Sequence, residues 1–293
     1  MSLLMRIESA LENALAHSSG PGCPPRLVSA VRHAVFPGGA RIRPQLCLAV
    51  AMACGDEDPD LANAAAVAIE LLHCASLVHD DLPCFDDADL RRGQPTVHKA
   101  WGERLAVLSG DALIVMAFEV IGRAGSARPR RMAQVLSAVA AGVGMPSGIV
   151  AGQAWECEPR ADLRDYQRAK TGALFTAATM CGALSCGVAA EPWRAFGDAL
   201  GEAYQVADDI RDVAGDPALL GKPVGQDAEH HRPSCAAELG LDGAVRYFED
   251  LVRRAQAAVP ACDGAGLLRH LVRQESLRLV PQELVPDIVR AVA

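Results

Sequence analysis

Apolar residues recur at helical spacing along almost the whole chain, and this periodicity restricts the possible folds more than any other feature of the sequence. The clearest segments are residues 61–78, 105–121, 166–190 and 193–212. The alternation of apolar and polar residues that is typical of half-buried strands is hard to find. The sequence therefore predicts an all-α fold.

Short stretches rich in glycine and proline separate these segments, for example residues 18–25, 36–39 and 125–129. None of them resembles a linker between domains, and the segments between them are too apolar to stand alone. With 293 residues, the chain is long enough for one large core or two modest domains, and the apolar segments favour one. We therefore predict a single domain over residues 1–293.

Charge and cysteine content restrict the class of protein. The net charge is −8, which disfavours a general nucleic-acid binder, because such a protein neutralises phosphates with a basic surface. The ten cysteines contain no CxxC pair, and several lie in apolar helical patterns, so we predict a reduced, cytoplasmic protein. Residues 1–17 are typical of an amphipathic helix and not of a secretory signal.

Two uncharged windows, residues 132–155 and 171–190, have the length of a membrane span, which needs roughly 20 apolar residues. Both windows are rich in small residues such as glycine, alanine, serine and threonine. We interpret them as helices that are buried on all sides within a helical bundle, and not as membrane helices.

Five aspartates lie within ten consecutive positions that begin at Asp80, directly after an apolar run and directly before two arginines. A solvated surface loop is the usual explanation of such a cluster, but the preceding apolar run places it at the end of a buried helix. Pro83 disfavours helix at the residue before it, so the helix should end one or two residues before Pro83. The chain can then bring Asp86 or Asp87 back towards Asp80.

A second acidic group, ADDIRD, lies within a helical pattern at residues 207–212. Asp208 and Asp212 are four residues apart and share one face of a helix, whereas Asp209 lies about 100° away. Like charges at this spacing repel each other, so we expect a cation to offset them. Mg²⁺ is the natural candidate, because it prefers carboxylate, water and phosphate oxygens. One such group can arise by chance, but two at long apolar helices are harder to dismiss.

Cationic side chains follow the first acidic group and lie at helix edges elsewhere. Arginine suits phosphate because its planar fork binds two oxygens at once. Each of these residues alone is more often a solvated surface cation, but their joint placement predicts a phosphate-binding site. They are Arg41, Arg43, Arg91, Arg92, Lys170 and Lys222.

The chain contains, in order, the motifs GGARIRP, HCASLVHDDLPCFDDADLRRGQPTVH, LSGDAL, GQAWE, KTGALF, YQVADDIRD and GKPVGQD. This set resembles the head-to-tail trans-prenyl diphosphate synthases (polyprenyl synthetases) over residues 36–235, and most of all the bacterial geranylgeranyl diphosphate synthases of carotenoid and photosynthetic pigment pathways. The resemblance implies an all-α bundle around a central cavity, a homodimer, and isopentenyl and allylic diphosphates as substrates, with no nucleic-acid partner and no integral membrane segment. It also implies facing aspartate motifs that bind three Mg²⁺ ions, for which Mn²⁺ is an alternative.

The resemblance assigns roles to individual residues. Six aspartates are expected at the metal site, the first, third and fourth of them as direct ligands: Asp80, Asp81, Asp86, Asp208, Asp209 and Asp212. The allylic diphosphate is expected at Arg91, Lys170 and Lys222, and isopentenyl diphosphate at Arg43, His73 and Arg92. Thr171 and Gln205 are expected to line the reacting centre. The predicted substrate-binding set also includes Arg41, Arg232, Ala75 and Ser76. His73 and His79 also fit ordinary core histidines.

The implied mechanism is electrostatic. Metal ions and cationic side chains neutralise the departing diphosphate, so that the allylic C–O bond ionises to a carbocation in an apolar pocket. The double bond of isopentenyl diphosphate attacks this cation, and a proton is then lost to the released pyrophosphate. That acceptor fits the lack of an obvious histidine or glutamate base in the sequence.

Four positions depart from the pattern of the family. Ala40 stands where the family has a lysine, which predicts weaker binding of isopentenyl diphosphate. Glu156 replaces the aspartate of GQxxD, and Tyr204 replaces the phenylalanine before Gln205. Arg232 lies where GKxT is usual and is expected to supply the charge.

Product length depends on the residues about one helical turn before Asp80. Farnesyl-producing relatives often carry an aromatic residue at the position of Ala75, so the small side chains of Ala75 and Ser76 favour a C20 product over C15. A farnesyl diphosphate synthase is the alternative. A class I terpene cyclase is disfavoured because it needs no second phosphate site, and a non-catalytic relative is disfavoured because both aspartate motifs are intact.

Overall fold

The computed structural model describes residues 2–36, 39–160, 162–214, 234–276 and 278–281. The helices in this part of the chain are α1 (Leu3–Ser18), α2 (Pro25–Val35), α3 (Ile42–Ala53), α4 (Pro59–Asp80), α5 (Val97–Trp101), α6 (Glu103–Ala124), α7 (Pro129–Val143), α8 (Ile149–Trp155), α9 (Leu163–Gln167), α10 (Ala173–Ser185), α11 (Arg194–Ala214), α12 (Cys235–Ala258) and α13 (Ala265–Ser276). Gly125–Ala127 and Glu191–Trp193 are 3₁₀ turns, and Arg168–Gly172 is π-helical. Among the described residues, the one sheet is a hairpin of β1 (Leu90–Arg91) and β2 (Gln94–Pro95). The predicted all-α fold is confirmed.

The chain divides into two compact units. The first unit comprises Met1–Met52, Asp56–Val139 and Cys181–Val188, and the second comprises Ala53–Gly55, Ala140–Met180 and Ala189–Ala293.

Helix α4 is the central helix of the first unit. It begins where the side chain of Asp58 accepts a hydrogen bond from the backbone nitrogen of Leu61 at 3.2 Å, with Pro59 as the first helical residue. Its packing is mainly against α6, and Ile69 and Leu72 are almost completely buried. Burial of each such side chain contributes about 1.5–3 kcal/mol. The helix carries the first aspartates at its carboxyl end.

The glycine of the LSGDAL motif allows α4 and α6 to pack closely. A Cβ atom at Gly110 would lie 2.0 Å from Nε2 of His79, so only glycine leaves room for this imidazole. The same nitrogen lies 3.3 Å from the carbonyl oxygen of Val107. His79 therefore packs against α6, but it is only half-buried and is not a core histidine.

Two helices pass the length and composition test for a membrane span, namely α4 and the segment Glu103–Ala127, which contains α6. In α4, 78% of the apolar window is buried inside the protein, as in the core helix of a folded domain. The figure for the second segment is 44%. Length and composition alone are weak indications of a span, because core helices share them.

The two uncharged windows of the sequence differ in structure. The second contains α10, whose side chains are buried on nearly all sides, as predicted. The first is divided between α7 and α8, and α7 buries one face through Val135 and Val139 while Gln134 and Ser137 are exposed. The interpretation of this window as a fully buried helix is therefore wrong, because its small polar residues lie on an exposed face.

Helix α11 is the central helix of the second unit and packs mainly against α12 and the π-helical segment. Two glycines allow the close contact between α11 and the π-helical segment. A Cβ at Gly201 would lie 2.7 Å from Cα of Gly172, so the two backbones meet without side chains between them. This close approach brings the KTG motif next to the helix that carries the second aspartate motif.

Candidate active site

The chain folds back after α4 and forms the first aspartate loop, residues 80–89. Helix α4 ends at Asp80, within a residue of the predicted position, because Pro83 follows. The backbone nitrogen of Asp86 then donates to the carbonyl oxygen of Asp80 at 3.0 Å, and the backbone nitrogen of Ala88 donates to the carbonyl oxygen of Asp81 at 3.2 Å. The loop therefore returns Asp86 to Asp80, as its sequence predicts.

Residues just before α5 and within it hold the second half of this loop in place. The hydroxyl of Thr96 donates to the carbonyl oxygen of Ala88 at 2.7 Å. The ammonium of Lys99 lies 3.3 Å from the carboxylate of Asp87 and 2.9 Å from that of Asp89. Asp86 is exposed within a loop that is held at both ends.

Asp81 has a different environment from Asp80. Its side chain is buried, and Nε of Arg91 donates to its carboxylate at 3.0 Å, while a second guanidinium nitrogen contacts the same oxygen. Burial raises the pKa of the Asp81 carboxyl, and the Arg91 hydrogen bond opposes that rise. Asp81 thus orients Arg91, one of the cations predicted to bind the allylic diphosphate.

The hairpin after the loop presents both arginines. Leu90 pairs with Pro95 and Arg91 with Gln94, and the turn residues Arg92 and Gly93 have φ values of 54° and 76°. Two consecutive positive φ angles define the tight two-residue turn that suits a right-handed β-hairpin. A glycine at the second turn position makes this conformation accessible.

The residues predicted to bind isopentenyl diphosphate lie together in the first unit. A guanidinium nitrogen of Arg43 is 3.5 Å from Nε2 of His73. The guanidinium of Arg92 lies so close to Gly39 that a Cβ there would be 2.6 Å from its central carbon. Burial, followed by the charges of Arg43 and Arg92, lowers the pKa of His73 well below 6.5. The cluster therefore combines two cations with a neutral imidazole.

Arg41 is buried inside the protein and has a structural role. Its side chain is fully buried, and its nitrogens donate to Glu8 at 2.9 Å, to Glu70 at 2.6 Å and to the carbonyl oxygen of Val35 at 2.8 Å. With each nitrogen bound inside the protein, this geometry argues against the predicted contact between Arg41 and a substrate. The adjacent Arg43 is the residue of GGARIRP that reaches His73.

The π-helical segment of the second unit carries Lys170 and Thr171. Such segments are frequent at functional sites because they change the direction of side chains within a helix. A Cβ at Gly152 would lie 2.3 Å from the backbone nitrogen of Lys170, so the glycine of GQAWE lets α8 touch this segment. The carboxylate of Glu156 then accepts from both Lys170 and Tyr166. Glu156 therefore orients Lys170.

A chain of hydrogen bonds joins the predicted reacting centre to the second aspartate motif. The hydroxyl of Thr171 donates to Oε1 of Gln205 at 2.8 Å, and Nε2 of Gln205 donates to Asp209 at 2.9 Å. The other carboxylate oxygen of Asp209 accepts from the backbone nitrogen of Cys235 at 2.7 Å. Thr171 and Gln205 are thus brought together, and Asp209 is buried behind them.

The remaining members of the second motif differ in exposure. The side chain of Asp208 is 39% exposed and accepts from Arg211 at 3.0 Å. Asp212, four residues later, is buried. Asp208 is therefore the most exposed aspartate of this motif.

Several predicted residues contribute less to this geometry. Ala75 is buried in α4, and the hydroxyl of Ser76 donates to the carbonyl oxygen of His73 at 2.8 Å. Lys222 and Arg232 lie outside the described residues.

Sequence reasoning missed two contributors to this geometry, Tyr166 and Gly152. The spacing of Tyr166 four residues before Lys170 places both on one helical face and could have revealed the first. No local signal marks the contact of Gly152 with the Lys170 backbone.

The aspartates suit a hard divalent cation, because they offer only carboxylate oxygens. Among the described residues, no three histidine, cysteine, aspartate or glutamate side chains converge closely enough to bind a metal by themselves. This arrangement fits Mg²⁺, which usually keeps several waters and is completed by substrate phosphates. In the first unit, Asp80 and Asp86, brought together by the loop, would hold such an ion, and in the second unit the half-exposed Asp208 would do so.

Comparison with known proteins identifies the family. The Polyprenyl synthetase family model matches residues 24–259. The geranylgeranyl diphosphate synthase of Cereibacter sphaeroides is 53% identical over 98% of this chain and 100% of the relative, and that of Rhodobacter capsulatus is 49% identical over 93% and 94%. A geranyltransferase of Helicobacter pylori, solved in complex with magnesium and isoprenyl diphosphate, superposes with a TM-score of 0.78 at 29% identity, covering 95% of this chain and 98% of the other. The chain therefore belongs to the polyprenyl synthetase family, as its motifs predict.

Proposed function

We propose that this protein condenses isopentenyl diphosphate with dimethylallyl, geranyl or farnesyl diphosphate, forms geranylgeranyl diphosphate and releases pyrophosphate. The observation that carries the proposal is the cluster of Arg43, His73 and Arg92 in the first unit. A reaction with one diphosphate would need only the aspartates and their cations. A second group of cations suits a second diphosphate substrate.

We propose that the reaction depends on Mg²⁺, with Mn²⁺ as an alternative ion. Asp80, Asp86 and Asp208 would bind the metal, and three ions are expected from the resemblance to the family. When bound, Mg²⁺ supplies positive charge that stabilises the departing diphosphate. The geranyltransferase of Helicobacter pylori named above was crystallised with magnesium, which supports this part of the proposal.

The side chains of this protein would bind the substrates and stabilise charge. Lys170, oriented by Glu156, and Arg91, oriented by Asp81, would bind the allylic diphosphate while its C–O bond ionises. Lys222, outside the described residues, would add a third cation. Arg43 and Arg92 would hold isopentenyl diphosphate, whose double bond attacks the allylic cation. Released pyrophosphate would then accept the proton.

We propose a C20 product because Ala75 has no bulk with which to block a growing chain. The two relatives named above, at 53% and 49% identity, are geranylgeranyl diphosphate synthases, which supports this length. Supply of carotenoid and photosynthetic pigment pathways would follow from such a product.

We further propose that residues 1–293 act as one polyprenyl synthetase domain, that the protein is cytoplasmic, and that two copies associate. Helix α6 supports association, because Val107, Leu108 and Val115 are 42%, 51% and 67% exposed on one side of it. Analytical ultracentrifugation should find a dimer, and Val115→Glu should weaken it. A wild-type protein that stays monomeric at micromolar concentration would contradict this part.

One assay tests the proposed reaction. The protein is incubated with Mg²⁺, isopentenyl diphosphate and each of the three allylic diphosphates in turn, and product length is measured by chromatography. We expect C20 as the main product. Predominant C15 product without C20 from any starter would support a farnesyl diphosphate synthase instead, and no product with or without Mg²⁺ would overturn the function.

A further inference from the structure

Four groups of the second unit form a continuous chain of hydrogen bonds that ends at a backbone donor. In order, they are the hydroxyl of Thr171, the amide of Gln205, the carboxylate of Asp209 and the backbone nitrogen of Cys235, with separations of 2.8, 2.9 and 2.7 Å. Asp209 is only 1% exposed. Its carboxylate is therefore an internal link of the chain, whereas Asp208 of the same motif remains half-exposed.

The chain has one allowed direction. An ionised carboxylate accepts hydrogen bonds and donates none, so Asp209 must face the NH₂ group of Gln205. The carbonyl oxygen of the same amide must then face Thr171. Because that oxygen can only accept, the single proton of the Thr171 hydroxyl is committed to it, and the hydroxyl oxygen keeps its two lone pairs.

The amino end of α12 supplies the backbone donor of this chain of hydrogen bonds. Cys235 is the first residue of the helix, and the side chain of Ser234 caps it by accepting from Ala237 at 3.2 Å. A helix amino terminus carries partial positive charge and unpaired backbone N–H groups, which suit an acceptor such as a carboxylate. The backbone N–H of Cys235 also cannot reverse its role, so it fixes one end of the chain.

We propose that Asp209 is a positioning residue that sets the direction of the Thr171–Gln205 hydrogen bond, so that Thr171 offers an electron-rich oxygen and no proton to the allylic carbocation. The inference rests on the proposed function. The sequence prediction places Asp209 beside the direct metal ligands, and the inference gives it a role in that position. An oxygen with free lone pairs stabilises a nearby carbocation, whereas an O–H directed at it would oppose the charge.

Asp209→Asn reverses the chain with almost no change in shape. The backbone N–H of Cys235 still requires an acceptor, so the oxygen of the new side chain must face it. The new NH₂ group then faces Gln205, whose amide has to turn over and donate to Thr171. The hydroxyl proton of Thr171 is released from its bond. Adding Gln205→Glu restores an acceptor for that proton and keeps the number of carboxylates constant.

The test measures single-turnover rates with Mg²⁺, isopentenyl diphosphate and farnesyl diphosphate. We expect Asp209→Asn to lower the rate roughly 100- to 1000-fold, the scale of losing one preorganised polar group. The Mg²⁺ concentration for half-maximal rate should not change. The double variant Gln205→Glu/Asp209→Asn should be faster than Asp209→Asn alone.

Three results would overturn the inference: a wild-type rate in Asp209→Asn, a loss that saturating Mg²⁺ restores, or a double variant no faster than the single one. If Asp209→Asn does not fold, neutron diffraction of the wild-type protein decides. Deuterium between Thr171 and Oε1 of Gln205 supports the inference, and deuterium elsewhere on the hydroxyl refutes it. Absence of prenyl product from the wild-type protein would instead refute the proposed function, and the neutron result would still decide the direction of the bond.

Discussion

The two aspartate motifs begin with the same pair of residues but place that pair in different surroundings. In each motif the first aspartate, Asp80 or Asp208, is half-exposed. The second is buried in both and binds a different partner: Asp81 binds the guanidinium of Arg91, and Asp209 binds a neutral amide and a helix amino terminus. Adjacent identical residues thus divide into one that is accessible to metal or substrate and one that orients another group.

The difference between the two partners has a chemical consequence. The guanidinium of Arg91 keeps its charge whether or not Asp81 is ionised, so the contact between Asp81 and Arg91 orients a cation. The amide of Gln205 has two possible orientations, and only the charge of Asp209 chooses between them. The first motif therefore fixes where a charge lies, and the second fixes the direction of a hydrogen bond.

The largest effect is expected from substitution of Asp80 or Asp208, the half-exposed first aspartates of the two motifs. Asp80→Ala and Asp208→Ala should each lower kcat by at least about 10³-fold, because loss of a metal ligand removes several kcal/mol of charge stabilisation. Steady-state assays at saturating Mg²⁺ and circular dichroism would check rate and fold. Asp242→Ala, an exposed aspartate on α12, is the matched control and should keep the wild-type rate. A near-normal rate in either active-site variant would remove that residue from the metal site.

The second prediction separates the two substrates by the group of cations that would bind each of them. Gly152→Ala places a methyl group 2.3 Å from the Lys170 backbone, whereas Gly39→Ala meets only the mobile end of Arg92 at 2.6 Å. We expect Gly152→Ala to raise KM for the allylic diphosphate about tenfold and to destabilise the protein by roughly 1–3 kcal/mol. Gly39→Ala should raise KM for isopentenyl diphosphate with less loss of stability.

Initial rates with each substrate varied in turn, together with urea unfolding, would measure both effects. The control is Gly266→Ala in α13, where a Cβ meets nothing within 4 Å. Equal changes in both KM values for either variant would contradict the assignment of one substrate to each group of cations.

The third prediction concerns pH. The folded-state pKa of His73 lies well below its ordinary value of 6.5, so below that pH the unfolded chain binds a proton that the folded chain does not. His73 therefore contributes stability above pH 6.5 that is lost as the pH falls, by at most about 1.4 kcal/mol per pH unit. His73→Gln should make the fall in unfolding free energy between about pH 7 and pH 5 less steep.

Urea unfolding at several pH values measures this slope. His270→Gln, at an exposed position on α13, is the control and should leave the slope of the wild-type protein unchanged. An identical slope in the wild-type protein and His73→Gln would contradict a neutral, half-buried imidazole among the arginines.

The smallest expected effect on rate is a change of product. Ala75→Phe places a large side chain about one turn before Asp80 on α4, so we expect shorter products at a rate within about tenfold of the wild type. Chromatography of the products with farnesyl and geranyl diphosphate as starters measures the distribution. Ala75→Ser adds little volume and should keep the wild-type product. An unchanged distribution in Ala75→Phe would refute the role of this position.

Residues close together in the sequence were predicted well. Pro83 and the aspartates around it were enough to predict the end of α4 and the return of Asp86 to Asp80. Backbone sterics near a proline act over one or two residues, so such features can be read without tertiary structure. The uncharged window that contains α7 shows the limit, because composition does not reveal which face of a helix finds a partner.

Partners distant in sequence could not be predicted in the same way. Arg41 and Arg43 are two residues apart in one motif, yet Arg41 is bound by Glu8 and Glu70 and only Arg43 reaches His73. Asp208 and Asp209 differ in the same manner. Their partners come from segments up to 33 residues away, and nothing local distinguishes the members of each pair.

The sequence by itself determined the all-α class, the family and the residue types at each motif, because periodicity, proline positions and motif order are local properties of the chain. Only the tertiary structure decided which aspartate or arginine of each neighbouring pair is buried. That choice depends on which long-range partner satisfies a charge once water is excluded, and no single segment contains both partners.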